Sequence, residues 1–144
     1  MREFIPGVIT PDEARYLVNL KERGEEKDLS IDHAPVKKIH DAINSLVNVS
    51  WNLPTYTRIE SLSKMGHDWH VDTGNNNHMS WCNYGCSILL TDNPEAGCLE
   101  YRDGHKLDAE KHYCGLAIHS SDVEHRTNHS GTRITYLAFL SGAL

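Results

Sequence analysis

The chain is an acidic polypeptide of 144 residues whose size and charge exclude several functional classes. Its length suits one domain with a substantial core and is too short for two. The apolar fraction of 39% and the charged fraction of 24% are typical of a globular protein rather than a disordered one. The net charge of -6, without a run of Lys or Arg, disfavours nucleic acid as a partner. We therefore expect a peptide or small-molecule partner.

The sequence lacks the signals of membrane insertion and of secretion. No apolar stretch approaches the ~20 residues that a membrane-spanning helix needs, and the N-terminal sequence does not begin a signal peptide. These features predict a cytoplasmic protein without a membrane partner. No C-x-x-C pair is present, so we expect free buried thiols, with two disulfides as the alternative. The cysteines concerned are Cys82, Cys86, Cys98 and Cys114.

Two amphipathic helices are predicted in the N-terminal third of the chain. Thr10, Pro11 and Glu13 form a capping-box signature, so the first helix should extend from Pro11 to about Arg23. A second helix is predicted over about 35–47, with an apolar face that packs on a sheet. Its apolar positions recur at helical spacing and comprise Val36, Ile39, Ile43, Leu46 and Val47.

After Asn52 the chain changes to short segments rich in β-branched and aromatic residues, separated by turn residues. Two helices followed by a run of strands predict an α+β protein, mainly β. Within a single domain of residues 1–144, helices at about 10–50 should support a barrel at about 55–144. The predicted strands are 56–65, 69–72, 86–91, 98–102, 115–119 and 133–140.

A possible metal site is the most informative pattern in this barrel. In an extended strand, His70 and Asp72 point to the same face, and His125 can join them from a distant strand. Two imidazoles and one carboxylate on one face of an octahedral ion leave open positions, as in non-heme Fe(II) oxygenases. An isolated H-x-D is common by chance, so the interpretation depends on the surrounding sequence.

The last predicted strand carries a second signal, because alternation places Arg133 and Thr135 on one face. An arginine inside a barrel is costly unless an anion meets it. Its planar guanidinium can make two charge-assisted hydrogen bonds to a carboxylate. We interpret the pair as a carboxylate clamp, with a surface salt bridge as the alternative.

In this order, the motifs resemble the Fe(II)/2-oxoglutarate-dependent dioxygenase superfamily, and most closely its prolyl 4-hydroxylase-like branch. The family pattern of H-x-D, a distal His and a following basic residue matches His70-Val71-Asp72, His125 and Arg133. The similarity covers most of the chain. Other segments that resemble family motifs are 5–13, 87–92, 96–101, 112–125 and 131–135.

The resemblance implies a double-stranded β-helix, a jelly-roll or cupin-like barrel with supporting N-terminal helices. It implies that His70, Asp72 and His125 are the catalytic centre and bind Fe(II), and that Arg133 and Thr135 hold the co-substrate 2-oxoglutarate. Ascorbate is left open as a further cofactor. The implied reaction consumes dioxygen, hydroxylates the substrate and releases succinate and CO2, and the branch suggests peptidyl proline as substrate.

Two alternatives to a peptidyl-proline hydroxylase stay open. One is an oxygenase that acts on a free amino acid or another small molecule. The other is a cupin-like metal-binding protein without oxygenase activity. Arg133 beside Thr135 favours an oxygenase, because a simple metal-binding protein has no need for an arginine next to the metal.

Two departures from the family pattern bear on co-substrate and substrate. Leu89 stands where many prolyl hydroxylase-like proteins have a tyrosine that meets 2-oxoglutarate, and Tyr56 and Tyr84 are the candidates to replace it. The segment 66–70, ahead of the first ligand, is shorter than the common spacing. These departures leave open a substrate preference that differs from that of peptidyl-proline enzymes.

The remaining chemistry-bearing residues have simpler interpretations. Trp69 and Trp81 either line a substrate entrance or pack at the rim, and Arg102 meets either substrate or solvent. The polar run 74–77 is interpreted as a flexible loop beside the site. His119 is close in sequence to the distal ligand and is a candidate to orient another group. Otherwise we expect exposed or hydrogen-bonded histidines at His67, His78, His105, His112, His119 and His129.

Overall fold

The computed structural model describes residues 1–63, 66–73 and 79–142. Besides a 3-10 turn at Pro94–Ala96, it contains three helices and eight strands in these residues. In chain order they are β1 (Arg2–Ile5), α1 (Pro11–Glu22), α2 (Ala34–Leu46), β2 (Thr55–Leu62), β3 (Tyr84–Leu89), β4 (Cys98–Tyr101), β5 (Lys106–Asp108), α3 (Ala109–His112), β6 (Leu116–Ser120), β7 (His125–Asn128) and β8 (Arg133–Leu140).

The strands form two antiparallel sheets. The larger has the order β1-β6-β3-β8-β2, and the smaller has the order β5-β4-β7. Most neighbours in the larger sheet are far apart in sequence, as in β2 with β8 and β3 with β6. The chain therefore crosses repeatedly between the sheets, and the predicted mainly β class is confirmed.

Local hydrogen bonds explain where the first helix begins. The Thr10 hydroxyl accepts from the Glu13 N–H at 3.1 Å, and the Glu13 carboxylate accepts from the Thr10 N–H at 3.0 Å. This is the predicted capping box, and α1 ends one residue before the predicted Arg23. The bounds of α2 also lie within one residue of those predicted.

The two helices cover one face of the larger sheet. Leu17, Leu20 and Ile43 of the helices belong to one buried cluster with strand residues such as Ile59 and Ile88. Because side chains alternate along a strand, the residues between these strand positions face the smaller sheet. Those alternate residues line a cavity between the two sheets.

The predicted strand 133–140 is confirmed with both of its bounds as β8. Four others correspond to β2, β3, β4 and β6, with ends displaced by up to three residues. Lys64 and Met65, at the predicted end of the first strand, lie outside the described residues, as do the predicted loop 74–77 and His78.

The predicted strand 69–72 is wrong. Within it His70 makes a single β-bridge, to His125. The backbone N–H of Asp72 donates instead to the carbonyl of Ser121 at 2.9 Å. Because the segment changes its neighbour between the two ligands, it cannot form a continuous ladder.

Three strands, β1, β5 and β7, were not predicted. Each has only three or four residues. The sequence of β7, His-Arg-Thr-Asn, contains no apolar residue and therefore lacks the alternation by which strands are recognised. Its pairing with β4 creates it.

The cysteines follow the prediction of free thiols. All four are free, and Cys82, Cys86 and Cys114 are buried while Cys98 is half-buried. In the described part of the chain, every helix is too short or too polar to cross a bilayer.

Candidate metal centre

The three predicted ligands meet at the wall of the cavity, whose volume is about 570 Å³. His70, Asp72 and His125 each offer one ligand atom, and these atoms lie within 4.8 Å of one another. Asp72 and His125 are buried and His70 is half-buried. Their spacing and chemistry suit one divalent cation with open coordination positions.

Backbone pairing brings the ligands together. The N–H of His70 donates to the carbonyl of His125 and the N–H of His125 donates to that of His70, both at 3.0 Å. The hydrogen bond from Asp72 to Ser121 anchors the second ligand next to β6. The H-x-D segment is thus attached to β7 on one side and to the end of β6 on the other.

Hydrogen bonds also fix which nitrogen of each histidine faces the cation. Nδ1 of His70 lies 2.7 Å from the Asp68 carbonyl, and Nδ1 of His125 lies 2.8 Å from the Val123 carbonyl. A carbonyl only accepts, so both Nδ1 atoms carry the proton. Nε2 is left as the ligand atom in both rings.

The Asp72 carboxylate lies against Gly85 of β3. A Cβ atom at position 85 would lie 1.8 Å from Oδ2 of Asp72 and 2.8 Å from Nε2 of His119. Only glycine leaves room for this packing. A single glycine in a strand carries no sequence pattern of its own, so Gly85 was not predicted as a site residue.

The charge state of Asp72 suits a cation. Burial raises the pKa of Asp72, but hydrogen bonds from His119 and His125 outweigh that effect and hold its pKa well below the usual range. Burial lowers the pKa of His70. Burial also lowers the pKa of His125, yet Asp72 reverses that effect and the pKa is raised. Asp72 is therefore anionic, as a metal ligand must be.

Arg133 and Thr135 both face the cavity from β8, as predicted. Only 2% of Arg133 is exposed, and burial lowers its pKa to about 10, so it remains a cation at neutral pH. Nη1 donates to the Ala96 carbonyl at 2.8 Å. Nε is buried without a partner among the described residues. An orphaned donor on a buried cation fits a carboxylate ligand.

His112 is a second site residue that sequence reasoning missed. It is fully buried, and its Nδ1 lies 3.4 Å from Nη2 of Arg133. Burial, reinforced by the Arg133 charge, lowers the pKa of His112 to about 3. The imidazole is therefore neutral: its Nε2–H donates to the Ser87 carbonyl at 3.1 Å, and Nδ1 accepts from Arg133.

No protein-family model and no curated protein matches the chain, but solved structures do. A prolyl-4-hydroxylase from Pseudomonas putida is 15% identical, with a TM-score of 0.70 over 99% of this chain and 93% of that one. A viral collagen prolyl hydroxylase from Paramecium Bursaria Chlorella virus-1, in a 2-oxoglutarate complex, is 10% identical, with a TM-score of 0.73 over 99% and 96%. HygX from Streptomyces hygroscopicus, with nickel and 2-oxoglutarate bound, is 16% identical, with a TM-score of 0.63 over 97% and 81%.

The chain has the 2-oxoglutarate-Fe(II) oxygenase fold. This likeness extends over almost all of its length and confirms the predicted double-stranded β-helix. In that fold, the cavity between the larger and the smaller sheet is the interior of the barrel. The triad lies at one side of this interior and Arg133 lies deep within it.

The edge strand β2 adds charge to the interior of the oxygenase fold. Arg58 lies opposite Leu137 and Glu60 lies opposite Thr135 in the pairing of β2 with β8, and all four line the cavity. Nε of Arg58 is buried without a partner, and no ion pair among the described residues includes Arg58. Arg58 is thus a second cation in the barrel, and it forms no ion pair within the described part of the chain.

Neither of the two tyrosines named as candidates to contact 2-oxoglutarate lies next to Arg133. Tyr56 lines the cavity but pairs with Phe139, six residues along β8 from Arg133 and hence about 20 Å away along the strand. Tyr84 packs against the buried core instead of lining the cavity. Leu89 is fully buried. His112, rather than a tyrosine, is the side chain in contact with Arg133.

The other predicted residues have different outcomes. Trp81 lines the cavity, which agrees with its interpretation as part of a substrate entrance. Trp69 instead packs between the guanidinium groups of Arg102 and Arg126, whose Cζ atoms lie 4.4 Å and 4.6 Å from the ring centroid. Arg102 also pairs with Glu124 at 3.2 Å.

The histidines outside the triad also differ in their surroundings. His67 and His105 are exposed, as predicted. His129 is buried and bonded to the Gly131 carbonyl at 2.7 Å. His119 is buried, and its Nε2 lies 2.7 Å from Oδ2 of Asp72. This contact is of the kind that the second interpretation of His119, as a group that orients another, requires.

Proposed function

We propose that the protein is a non-heme Fe(II)- and 2-oxoglutarate-dependent dioxygenase that hydroxylates its substrate and releases succinate and CO2. One observation carries the proposal: the triad of His70, Asp72 and His125 shares a cavity with the incompletely paired guanidinium of Arg133. A metal-binding protein without oxygen chemistry would explain the triad. It would not explain a buried, incompletely paired arginine beside it.

The residues present fit both cofactors. Nε2 of His70, Nε2 of His125 and a carboxylate oxygen of Asp72 would hold Fe(II). Arg133 and Thr135 would hold the distal carboxylate of 2-oxoglutarate, with His112 keeping the guanidinium in place. When bound, these cofactors supply the oxidising power for the insertion of one oxygen atom into a C–H bond. The apolar walls of the cavity exclude water from the substrate at that step.

Peptidyl proline is the substrate that we propose first. Tyr56, Trp81 and Phe139 bring aromatic side chains to the cavity, and aromatic faces suit packing against a pyrrolidine ring. Several proteins with the same fold are prolyl hydroxylases. In this role the aromatic wall would hold the ring, while the triad sets which carbon faces the metal.

A small carboxylic acid, such as a free amino acid, is the second candidate, and Arg58 favours it. This guanidinium faces the same cavity as the aromatic side chains and has no ion-pair partner among the described residues. A cation of this kind beside an apolar wall suits a compact substrate with one carboxylate. An internal proline of a peptide offers no such charge.

Anaerobic titration of the metal-free protein with Fe(II) and 2-oxoglutarate tests the proposed function. We expect the visible charge-transfer band of a chelated ferrous 2-oxoacid, and its loss in Asp72→Ala because the only anionic ligand is removed. Asp122→Ala, at an exposed turn position, is the matched control and should keep the band. Iron binding without the band would favour a metal-binding protein instead.

Succinate release then separates the two substrate classes. Proline-containing peptides with amidated ends are compared with free amino acids, in the wild type and in Arg58→Gln. Turnover of the peptides that is unaffected by Arg58→Gln would support peptidyl proline. Turnover of free acids only, lost in Arg58→Gln, would support the small-acid candidate.

A further inference from the structure

A third histidine, which is buried, adjoins the triad without belonging to it. His119 of β6 is 4% exposed, and its ring centroid lies 4.2 Å from that of His125. Nε2 of His119 lies 2.7 Å from Oδ2 of Asp72, and Nδ1 lies 3.2 Å from the Tyr101 hydroxyl. Both ring nitrogens are therefore engaged by neighbours other than a cation.

The proton positions on His119 follow from these two neighbours. A carboxylate only accepts hydrogen bonds, so the proton between Asp72 and His119 is on Nε2. Nδ1 is then an acceptor, and the Tyr101 hydroxyl donates to it. The chain from Tyr101 through His119 to Asp72 is satisfied at every step, and it selects one tautomer of a neutral ring.

The two oxygens of Asp72 consequently have different surroundings. Oδ2 accepts from His119 and lies against Gly85, where even a methyl group would clash. Oδ1 lies 3.3 Å from Nε2 of His125 and so faces the other ligand atoms. Turning the carboxylate would break the bond to His119 and leave a buried donor unpaired, which is unfavourable.

We propose that His119 is a positioning residue that holds Asp72 as a one-oxygen metal ligand, with Tyr101 fixing the tautomer of His119. The inference rests on the metal centre of the proposed function. A carboxylate that binds through both oxygens would occupy one more coordination position. Keeping Oδ2 on His119 leaves that position free for 2-oxoglutarate or dioxygen.

Metal affinity, measured anaerobically with Fe(II) or Co(II) alone, tests this role without turnover. His119→Leu removes the donor, and we expect metal binding to weaken about 10- to 100-fold, as for other groups that orient metal ligands. His119→Gln keeps an N–H at a similar reach and should restore most of the affinity. His129→Leu is the matched control, because His129 is also buried but contacts the Gly131 carbonyl outside the cavity lining.

A second pair of variants guards against misfolding of His119→Leu. His119→Gln and His119→Asn are both polar, but the shorter Asn side chain does not reach Asp72. We expect weaker metal binding for Asn than for Gln at equal thermal stability. Equal affinities in this pair would overturn the proposal, because a merely structural role does not depend on reach.

Counting nitrogen ligands separates positioning from direct ligation. In the Cu(II)-loaded protein, electron paramagnetic resonance should report two imidazole nitrogens, both in the wild type and in His119→Gln. Three nitrogens in the wild type, falling to two in the variant, would overturn the proposal and make His119 a ligand. A wild type that binds metal but forms no 2-oxoglutarate complex would contradict the proposed function while leaving the role of His119 intact. A wild type that binds no metal would overturn both.

Discussion

Arg133 is a cation that is 2% exposed and lines the cavity. Its Nε–H, unpaired among the described residues, is a donor that the co-substrate would use. We expect Arg133→Gln to weaken 2-oxoglutarate binding by about 100-fold, because a lost charge-assisted pair costs ~3 kcal/mol. The measurement is a 2-oxoglutarate titration of the Co(II)-loaded protein. Arg23→Gln, at the exposed end of α1, is the control and should not change the affinity. An unchanged affinity in Arg133→Gln would place the co-substrate elsewhere.

His112, which accepts a hydrogen bond from Arg133, makes the stability of the folded protein depend on pH. Its pKa is lowered to about 3 in the folded protein by burial and by Arg133, against 6.5 for the free side chain. Between these values the unfolded chain binds a proton that the folded protein excludes, so stability falls as the pH falls. The loss approaches ~1.4 kcal/mol per pH unit below pH 6.5.

Urea unfolding of the wild type and of His112→Gln between pH 7.5 and pH 5 measures this contribution. The amide of Gln can still accept from Arg133 and donate to Ser87, but it does not titrate. The free energy of unfolding of the variant should therefore fall less steeply with pH. Parallel curves for the two proteins would show that His112 is not held neutral.

At the scale of elements, the segment 66–73 supplies two ligands without being a strand. It is attached to the smaller sheet by the His70–His125 bridge and by the N–H of His67, which donates to the Thr127 hydroxyl at 3.0 Å. Trp69 adds two contacts with guanidinium groups, one from β7 and one just beyond β4. Side-chain packing therefore replaces the missing ladder.

Replacing Trp69 by Leu should loosen this attachment. Two cation–π contacts at ~0.5–1 kcal/mol each predict metal binding weakened about tenfold and faster hydrogen exchange at the amide of His70. Trp51→Leu is the control, because Trp51 stacks on His40 of α2, away from the cavity lining. The control should lower stability without changing metal affinity. Equal metal affinity in Trp69→Leu and the wild type would mean that backbone pairing alone fixes His70.

At the scale of the molecule, a bound cation would tie the two sheets together. His125 belongs to the smaller sheet, while Asp72 is held against Gly85 and His119 of the larger one. Metal at 100 times its dissociation constant should stabilise the fold by ~2.7 kcal/mol, which corresponds to a rise of roughly 8 °C in melting temperature. Calorimetry with and without Co(II) measures the shift. A similar rise in Asp72→Ala would point to a metal site elsewhere.

The sequence by itself determined the features that depend on neighbours along the chain. The capping box at Thr10 and Glu13 and the alternation of β8 set the helix start and the strand bounds, because their interactions are local or periodic. The order and spacing of the triad and of Arg133 carried the family resemblance, and that resemblance implied the fold and the co-substrate. The metal-binding and carboxylate-binding chemistry of these side chains is a property of the residue type and can be recognised before the backbone is known.

Only the tertiary structure decided how those groups are supported. His119 meets Asp72 across 47 residues of sequence and His112 meets Arg133 across 21, so no local pattern connects either pair. Gly85 is required only because a carboxylate from another segment lies against it. The unpredicted strand β7 exists because β4 and the H-x-D segment pair with it. Such contacts form only when segments distant in sequence are brought together. A single residue in the sequence therefore gives no signal of them.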